Sequence, residues 1–395
     1  MSDPRNRYDK PDVIIVGAGV IGLGIAWRLA ARGARVTVFD RGAAGRGASH
    51  AAAGMLAACA EAEPGEEALV VLGRASQAMW PAFAAELVQA TGIDVELRQE
   101  GTLDVALTAD DKAQVLHHFE FQKALGLPLE WLTAAETRRR EPHLATTLAG
   151  AVWSPTDHQV DNRRLAAALL AAATGAGANV REHCEVREVA ATTGRVGGVI
   201  LADGTLVKSD VVVIAAGAWS RGIGGLASEL RPPVRPIKGQ MLALRMDARA
   251  PLVSHVVWAP GVYLVPRRDG RLIVGATVEE RGFDTALTAG GLLTLLESAW
   301  RAVPAIEELA IDEMWVGHRP GCRDDAPVIG PSQMPGLFHA TGHHRNGILL
   351  APITAGAVAG LILDGRCEAE VAPFGIGRFA PHKAAQPPMA RAVTG

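Results

Sequence analysis

A glycine turn between two short regular segments is the feature that most constrains the fold of this chain. Residues 12–16 (DVIIV) are mostly β-branched and predict a strand, residues 17–22 (GAGVIG) follow directly, and an amphipathic helix comes next. The glycines allow a tight turn that brings bare backbone N–H groups against a pyrophosphate at the positive end of the helix, and Gly22 lets helix and strand pack closely. The segment therefore predicts the start of a dinucleotide-binding βαβ unit.

The residues after this turn complete the unit and bear on the identity of the dinucleotide. A second strand at 35–39 (RVTVF) ends at Asp40, whose carboxylate can accept hydrogen bonds from an adenosine ribose. Residues 45–55 (GRGASHAAAGM) are small and glycine-rich and have no strand period. Such a stretch can lie along a flavin without side-chain clashes, whereas a flexible surface loop explains the glycines but not the alanines and Met55. The sequence therefore favours FAD over NAD.

Composition and charge exclude several classes of partner. The 395 residues carry a formal net charge of −3, and the basic residues are scattered, which speaks against nucleic acid or an anionic membrane surface. The four cysteines lie far apart without a CxxC pair, and no histidine pair has metal-ligand spacing, so neither a metal site nor a disulfide framework is expected. Residues 1–11 mix charges of both signs and do not resemble a secretory signal, so a cytoplasmic location is expected.

The C-terminal part contains a long apolar run followed by a tail. Residues 347–363 (GILLAPITAGAVAGLIL) carry no charge, but Pro352, Gly356 and Gly360 favour a loop leading into a buried helix over a membrane span. Residues 371–395 are rich in Ala and Pro and lack periodicity, so this tail is expected to be flexible.

The remaining segments predict an α/β fold with two lobes. Residues 180–189 and 196–201 indicate strands joined by hairpins, and residues 210–216 (DVVVIAA) indicate a buried strand, which together give a Rossmann-like lobe built from discontinuous segments. Residues 96–105 and 235–277 contain alternating runs that predict the mainly antiparallel sheet of a second lobe. Substrate is expected in the cleft between the lobes.

We expect the chain to divide into two domains and the tail. The FAD-binding domain is predicted to comprise residues 1–92, 159–228 and 316–370, and the substrate-binding domain residues 93–158 and 229–315.

Five motifs occur in an order that resembles one enzyme family. They are GAGVIGLGIAWRLAARGARVTVFDR at 17–41, GASHAAAGML at 47–56, GVYLVPRRDGRLIVGAT at 261–277, WVGHRPGCRDDAPVIG at 315–330 and ATGHHRNGILLAPITAG at 340–356. Together they look like the glycine oxidase branch of the D-amino acid oxidase family, the branch tied to thiamine biosynthesis. The similarity runs from about residue 12 to 365.

The resemblance implies a two-lobe FAD enzyme in which an arginine, assisted by a tyrosine, grips the carboxylate of an amino acid. The matching residues are Arg319 of GHRPG, Tyr263 of YLVPR and Arg345 of HRNGILL. A guanidinium offers a planar fork for bidentate carboxylate binding. Each residue also has an ordinary interpretation: Arg319 as a solvated turn residue, Tyr263 as a core residue of a strand, and Arg345 as the partner of a carbonyl near the flavin.

The resemblance also implies where FAD binds. The expected cofactor-binding residues are Gly17, Gly19, Val20, Ile21, Gly22, Asp40, Arg41, Ala48, Ser49, Ala53, Gly54, Met55, Val186, Gly217, Gly342, His343, His344, Arg345, Asn346, Gly347, Ile348 and Leu349. A helix beginning near Pro352 would direct its positive end at the flavin ring. Non-covalent FAD is expected; the alternative is a covalent link through His50, which resembles the flavin-carrying histidine of dimethylglycine and sarcosine dehydrogenases.

The implied reaction is oxidative deamination of a small amino acid to a 2-oxo acid, ammonia and hydrogen peroxide, with oxygen as acceptor and glyoxylate as the product from glycine. Hydride passes to the flavin, so no protein group is expected to act as a catalytic residue. One alternative is a dehydrogenase for D-amino acids, sarcosine or dimethylglycine that uses a quinone or flavoprotein acceptor, and another is a non-catalytic flavoprotein subunit.

Three further expectations concern the pocket and the assembly. Val278 stands where this branch carries a larger methionine, so the pocket is expected to admit substrates larger than glycine. Lys238, at the start of a strand, is interpreted as a solvated residue; the alternative is a fixed cation that aids oxygen activation. Homo-oligomers are common for enzymes of this kind, so a homo-oligomer is one possibility, although the sequence shows no interface.

Overall fold

The computed structural model describes residues 11–380. The helices are α1 Val20–Ala30, α2 Ala48–Ala51, α3 Glu67–Thr91, α4 Ala109–Ala124, α5 Ala134–Arg140, α6 Asn162–Gly175, α7 Ala289–Ala302 and α8 Ala351–Asp364. The strands are β1 Asp12–Val16, β2 Arg35–Phe39, β3 Met55–Leu56, β4 Thr102–Ala106, β5 Glu130–Leu132, β6 Gly150–Ser154, β7 His158–Gln159, β8 Asn179–Arg181, β9 Val186–Thr192, β10 Arg195–Leu201, β11 Leu206–Lys208, β12 Val211–Ile214, β13 Arg235–Arg245, β14 Val256–Ala259, β15 Val262–Pro266, β16 Arg271–Gly275, β17 Ala310–Gly321, β18 Val328–Pro331 and β19 Leu337–Thr341.

A six-stranded sheet in the order β18-β19-β12-β1-β2-β8 forms the first lobe. Its strands run parallel except for β18, which pairs antiparallel with β19. Helices α1, α3, α6 and α8 cover one face, where the apolar side chains of β1, β2 and β12 join those of the helices in the largest buried cluster. The predicted Rossmann-like lobe of discontinuous segments is confirmed, and β1 and β2 have the predicted bounds.

The opposite face of this sheet is covered by a small antiparallel sheet, in the order β11-β10-β9. Ile14 and Val16 of β1 and Phe39 of β2 point towards it and pack with Val189 and Val199. Successive strand residues point to opposite faces, so a strand covered on both sides is a continuous apolar run, as DVIIV is.

An eight-stranded sheet in the order β17-β13-β16-β15-β14-β4-β6-β5 forms the second lobe. All its neighbouring strands are antiparallel except β4 and β14. Helix α7 packs on one face and contributes Leu295, Ala299 and Ala302 to the core. The mainly antiparallel sheet predicted from the alternating runs is therefore confirmed.

The division into two domains stays a prediction, although each sheet draws mainly on the segments that were assigned to one of the two predicted domains. One strand crosses a predicted boundary: β17 pairs with β13 from residue 310 to 321, and the boundary was placed at residue 316. Both halves of this strand belong to the second sheet, because its hydrogen bonds to β13 continue past that residue.

The segment that follows α8 packs on the protein. No helix between residues 11 and 380 is long and apolar enough to cross a membrane, and α8 is a buried helix with Pro352 in its first turn. Residues 371–380 were assigned to a flexible tail, yet Val371, Phe374 and Ile376 are buried and Arg378 pairs with Asp324. These apolar anchors hold the first part of the predicted tail in place. The rest of the tail, residues 381–395, lies outside the described residues, as do residues 1–10 of the N-terminal segment that was not expected to be a secretory signal.

Candidate active site

A cleft of about 800 Å³ lies between the two sheets. One side is lined by the turn after β1, the end of β2, residues 40–55 and the segment after β12, and the other by β13, β15, β16 and β17. The segment between β19 and α8 closes one end. The volume is in the upper range of ligand pockets, about 300–1,000 Å³.

The junction of β1 and α1 is shaped by two glycines at which a Cβ would collide with the backbone. Gly17 has φ +110°, and a Cβ at this position would lie 2.4 Å from the carbonyl oxygen of Ala215. Asp40 ties the turn to the end of β2, because its carboxylate accepts hydrogen bonds from Ala18 N at 2.7 Å and Gly42 N at 2.9 Å. Gly22 lets α1 approach β1, since a Cβ there would lie 1.9 Å from the carbonyl oxygen of Gly17.

A buried arginine holds the small-residue stretch against the rest of the cleft. Ser49 Oγ accepts a hydrogen bond from Val20 N at 3.0 Å, which joins this stretch to the start of α1. Arg267 donates to Ala53 O at 2.6 Å and to three further acceptors on residues 159, 160 and 162. No local pattern marks Arg267, because its role depends on contacts between segments that lie far apart in the chain.

Most of the predicted cofactor-binding residues line this cleft. They are Gly17, Gly19, Val20, Ile21, Asp40, Arg41, Ala48, Ser49, Ala53, Gly54, Met55, Val186, Gly217, His343, His344, Arg345, Gly347 and Ile348.

Four predicted cofactor-binding residues do not line the cleft: Gly22, Gly342, Asn346 and Leu349. They pack against protein instead. A Cβ on Gly342 would lie 2.5 Å from Cys322 Sγ, and the carbonyl oxygen of Leu349 accepts hydrogen bonds from two side chains of α3. A contiguous motif thus includes residues that shape the segment as well as residues that face the cleft.

His50 does not line the cleft, whereas its neighbours Ser49 and Ala51 do. Burial, together with the charges of Arg163 and Arg46, lowers the pKa of His50 to about 4. The geometry therefore offers no support for a covalent flavin link through this histidine.

The lining fits a flavin dinucleotide. Gly17 leaves a cradle that a Cβ would fill, the N-terminal end of α1 lines the cleft, and residues 47–55 present mainly glycine and alanine along it. Within residues 11–380, no group of three or more His, Cys, Asp or Glu side chains is arranged to hold a metal ion.

Arg319 and Tyr263 meet near the segment between β19 and α8 that closes the cleft, where two strand glycines make room for them. A Cβ on Gly239 of β13 would lie 2.5 Å from Arg319 Nη1, and a Cβ on Gly275 of β16 would lie 2.6 Å from the ring of Tyr263. Arg319 Nη1 donates a hydrogen bond to the carbonyl oxygen of Thr277 at 3.1 Å, which fixes one edge of the guanidinium. The sheet thereby brings together the two residues predicted to bind the substrate carboxylate.

The Tyr263 hydroxyl remains protonated at neutral pH. Burial raises the pKa of Tyr263 above its ordinary value of 10.0, and the neighbouring Arg319 only partly opposes this rise. Because it keeps its proton, the hydroxyl can act as a hydrogen-bond donor within the cleft, where it lies 3.8 Å from Met241 Sδ.

Arg345 lines the cleft as predicted but is held by two carboxylates. Its Nε lies 3.0 Å from Glu61 Oε2, and its Nη2 lies 2.7 Å from Glu66 Oε2. Burial disfavours the guanidinium charge, but Glu61 and Glu66 outweigh it and raise the pKa of Arg345. No sequence motif indicates that this arginine already has two anionic partners.

Glu61 is a cleft residue that the sequence analysis missed. Its side chain is 11% exposed, and burial raises its pKa to about 7, against the opposing charges of Arg345 and Arg319. It lies five residues beyond the last of the small-residue motif, in a segment without recognisable periodicity, so no local pattern marked it.

Val278, where a larger residue was associated with this branch, lines the cleft and is 73% exposed, so it lies at the mouth.

Lys238 was interpreted as solvated, which is wrong: it is fully buried, and its Nζ donates to Asp284 Oδ2 and to Ala286 O, each at 2.6 Å. These bonds hold the loop before α7 on β13, and together they satisfy a charge that burial would otherwise destabilise.

Comparisons with known proteins agree with this geometry. The family described as FAD dependent oxidoreductase (DAO) matches residues 12–361. The chain is 41% identical over 376 residues to glycine oxidase of Geobacillus kaustophilus (strain HTA426), which covers 94% of this chain and 97% of that protein. It matches the crystal structure of glycine oxidase from Geobacillus kaustophilus with a TM-score of 0.86 and 40% identity, over 93% of this chain and 99% of the other.

A further relative is a longer protein. The chain is 38% identical over 372 residues to the bifunctional protein ThiO/ThiG of Trichormus variabilis (strain ATCC 29413 / PCC 7937). The match covers 93% of this chain and 55% of that protein, so the chain spans about half the length of the bifunctional relative.

Proposed function

The chain belongs to the FAD-dependent oxidoreductase family, and on this premise we propose that it oxidises glycine or another small amino acid. The products are the 2-oxo acid, ammonia and hydrogen peroxide, with glyoxylate formed from glycine. The observation that carries this proposal is the meeting of Arg319 and Tyr263 at the end of a cleft whose remaining length suits FAD. An arginine beside a neutral hydroxyl is suited to a carboxylate, the group that all amino acids share.

The protein's contribution to the reaction is to bind and orient the substrate. We propose that the free edge of the Arg319 guanidinium takes the substrate carboxylate as a bidentate partner, while the Tyr263 hydroxyl donates a further hydrogen bond. With the carboxylate fixed in this way, the α-carbon has a defined position in the cleft, which removes much of the entropic barrier to reaction. The resulting imino acid takes up water to give the 2-oxo acid and ammonia.

The cofactor supplies the redox chemistry. When bound, FAD accepts a hydride from the α-carbon and returns the electrons to oxygen. We propose that Gly17 and Gly19 would hold its phosphates, that Asp40 would hold its ribose, and that residues 47–55 would lie along the remainder.

An oxidase is favoured over the two alternatives by the relatives. Glycine oxidase of Geobacillus kaustophilus matches almost the whole chain in sequence and in structure, which supports oxygen as acceptor over a quinone or flavoprotein and supports an enzyme over a non-catalytic subunit. We also propose, from the ThiO/ThiG relative, that the product serves thiamine biosynthesis. A cytoplasmic location remains a proposal supported by four free cysteines, and self-association stays a prediction.

The test is peroxide release from the purified yellow protein with glycine, sarcosine, D-alanine and D-proline in air, alongside flavin bleaching without oxygen. We expect peroxide, with glycine among the better substrates. Bleaching without peroxide would replace the oxidase with a dehydrogenase, and a flavin that no amino acid bleaches would refute an amino-acid enzyme altogether.

A further inference from the structure

We propose that Glu61 recognises the amino group of the substrate, as the anionic counterpart of Arg319. This inference rests on the proposed function, since it concerns how the same cleft distinguishes an amino acid from other small carboxylic acids.

Glu61 belongs to the substrate end of the cleft. It lines the same cleft as Arg319 and Tyr263. The electrostatic effects are mutual: the charge of Arg319 lowers the pKa of Glu61, and the charge of Glu61 raises the pKa of Tyr263. The carboxylate is thus close to both residues that are proposed to take the substrate carboxylate.

One carboxylate oxygen of Glu61 remains available to a ligand. Glu61 Oε2 is buried beside Arg345, whose Nε lies 3.0 Å away. The side chain is 11% exposed and lines the cleft, so the oxygen that faces the cleft is Oε1. A ligand ammonium would supply a charge-assisted donor to this oxygen.

The backbone around Glu61 is held in place by residues outside the cleft. The buried carboxylate of Asp157 accepts hydrogen bonds from Cys59 N at 3.0 Å and Ala60 N at 2.7 Å. Gln122 donates to the carbonyl oxygen of Cys59 at 3.0 Å. The carboxylate of Glu61 is therefore presented to the cleft by a fixed segment, and a ligand would not have to order it.

The charges at this end complement a zwitterion. Arg345 has a second anionic partner in Glu66, which does not line the cleft. If that pair is counted as neutral, Arg319 and, above its pKa of about 7, Glu61 remain as one positive and one negative group. An amino acid carries one carboxylate and one ammonium, so it matches both groups, whereas a simple carboxylic acid matches only Arg319 and is repelled by Glu61.

The test compares Glu61→Gln with wild-type holoenzyme, using one ligand with an amino group and one without. KM is measured for glycine, and the dissociation constant of acetate is measured from the change in the flavin absorbance spectrum. We expect the KM for glycine to rise about tenfold or more, the cost of losing about 1.4 kcal/mol. Acetate is expected to bind as well as in the wild type or more tightly, because a like charge has been removed.

Glu66→Gln is the matched control. It removes a carboxylate charge that is likewise paired with Arg345, but at a position outside the cleft. We expect it to change the affinities for glycine and acetate in the same direction. Glu61→Asp, which keeps the charge one methylene further away, should give an intermediate rise in KM, and it carries the test if Glu61→Gln does not retain flavin.

The opposite signs for the two ligands separate recognition from a structural role. If Glu61 only fixed Arg345, both ligands would bind more weakly, and that result would overturn the inference. An unchanged KM for glycine would also overturn it while leaving the proposed function intact. A wild-type protein that oxidises no amino acid would instead refute the proposed function.

Discussion

A single methyl group added at Gly17 is expected to disturb the turn that would hold FAD. Gly17 has φ +110°, and its Cβ would lie 2.4 Å from the carbonyl oxygen of Ala215, which directly follows β12 and lines the same cleft. Real Cβ contacts are essentially never shorter than 3.0 Å, so the turn and the end of β12 must move apart by about 0.6 Å. Neither atom belongs to a flexible side chain that could give way.

The magnitude can be separated into two parts with a matched control. Gly33 has φ +86° but nothing within 4 Å of its Cβ, so Gly33→Ala carries only backbone strain of about 1–2 kcal/mol. Gly17→Ala adds overpacking of about 1–3 kcal/mol. For a chain of this size, these energies lower Tm by about 1–3 °C at Gly33 and about 2–6 °C at Gly17. If the turn relieves the overpacking by leaving its position, Kd for FAD rises roughly 5- to 150-fold.

The assay is titration of each apoprotein with FAD, followed by quenching of flavin fluorescence, together with thermal unfolding without FAD. Gly33→Ala should bind FAD like the wild type and lose a little stability, whereas Gly17→Ala should lose both. The reasoning would be refuted if Gly17→Ala bound FAD like the wild type, or if the two variants lost the same stability and the same affinity.

Three further predictions concern the substrate, pH and the flavin stretch. Arg319→Met should retain FAD and its yellow colour but lose about 10²-fold or more of kcat/KM for glycine, and unchanged turnover would remove Arg319 from the site. Between pH 6.5 and pH 4 the buried His339 and His343 should destabilise the fold, because burial lowers their pKa to about 4 and about 3, while unfolded histidines take up protons near 6.5. Burial raises the pKa of Glu61 and Asp104 to about 7 and about 6, which acts in the opposite direction, so the histidine contribution is measured as a difference. His339→Gln should lose less Tm, or gain more, than the wild type over this interval, and an identical pH profile would contradict the assignment. Arg267→Met should lose about 3 kcal/mol or more in the free energy of unfolding and bind FAD poorly, because its four acceptors are left buried without a donor; normal flavin content in that variant would refute this role.

The regular elements of the first lobe followed closely from local sequence. Strands β1 and β2 have the predicted bounds, and α8 begins beside Pro352, because each depends on residues within a few positions of one another. A β-branched run, a glycine that must adopt a positive φ and a proline in the first turn of a helix all act locally. The tail was less predictable, since its three apolar anchors matter only where the core offers them a site.

The charges of the site depended on contacts that no local pattern records. Lys238 was expected in solvent, but partners on a loop 46 and 48 residues away bury it. Arg345 was matched by its motif alone, yet its hydrogen bonds to residues 61 and 66 span 284 and 279 positions. A motif shows that an arginine is present at a position, but the charge it is paired with is a property of the folded protein.

The sequence by itself thus determined the dinucleotide turn, the order of the elements, the family and the presence of Arg319 and Tyr263. These follow from backbone preferences and from residue types within short segments. Tertiary structure alone decided that Gly239 and Gly275 make room for those two side chains, that Arg267 fastens the flavin stretch, and that Glu61 enters the cleft. Burial and pairing depend on long-range packing, which sets both the desolvation cost of a charge and the partner that offsets it.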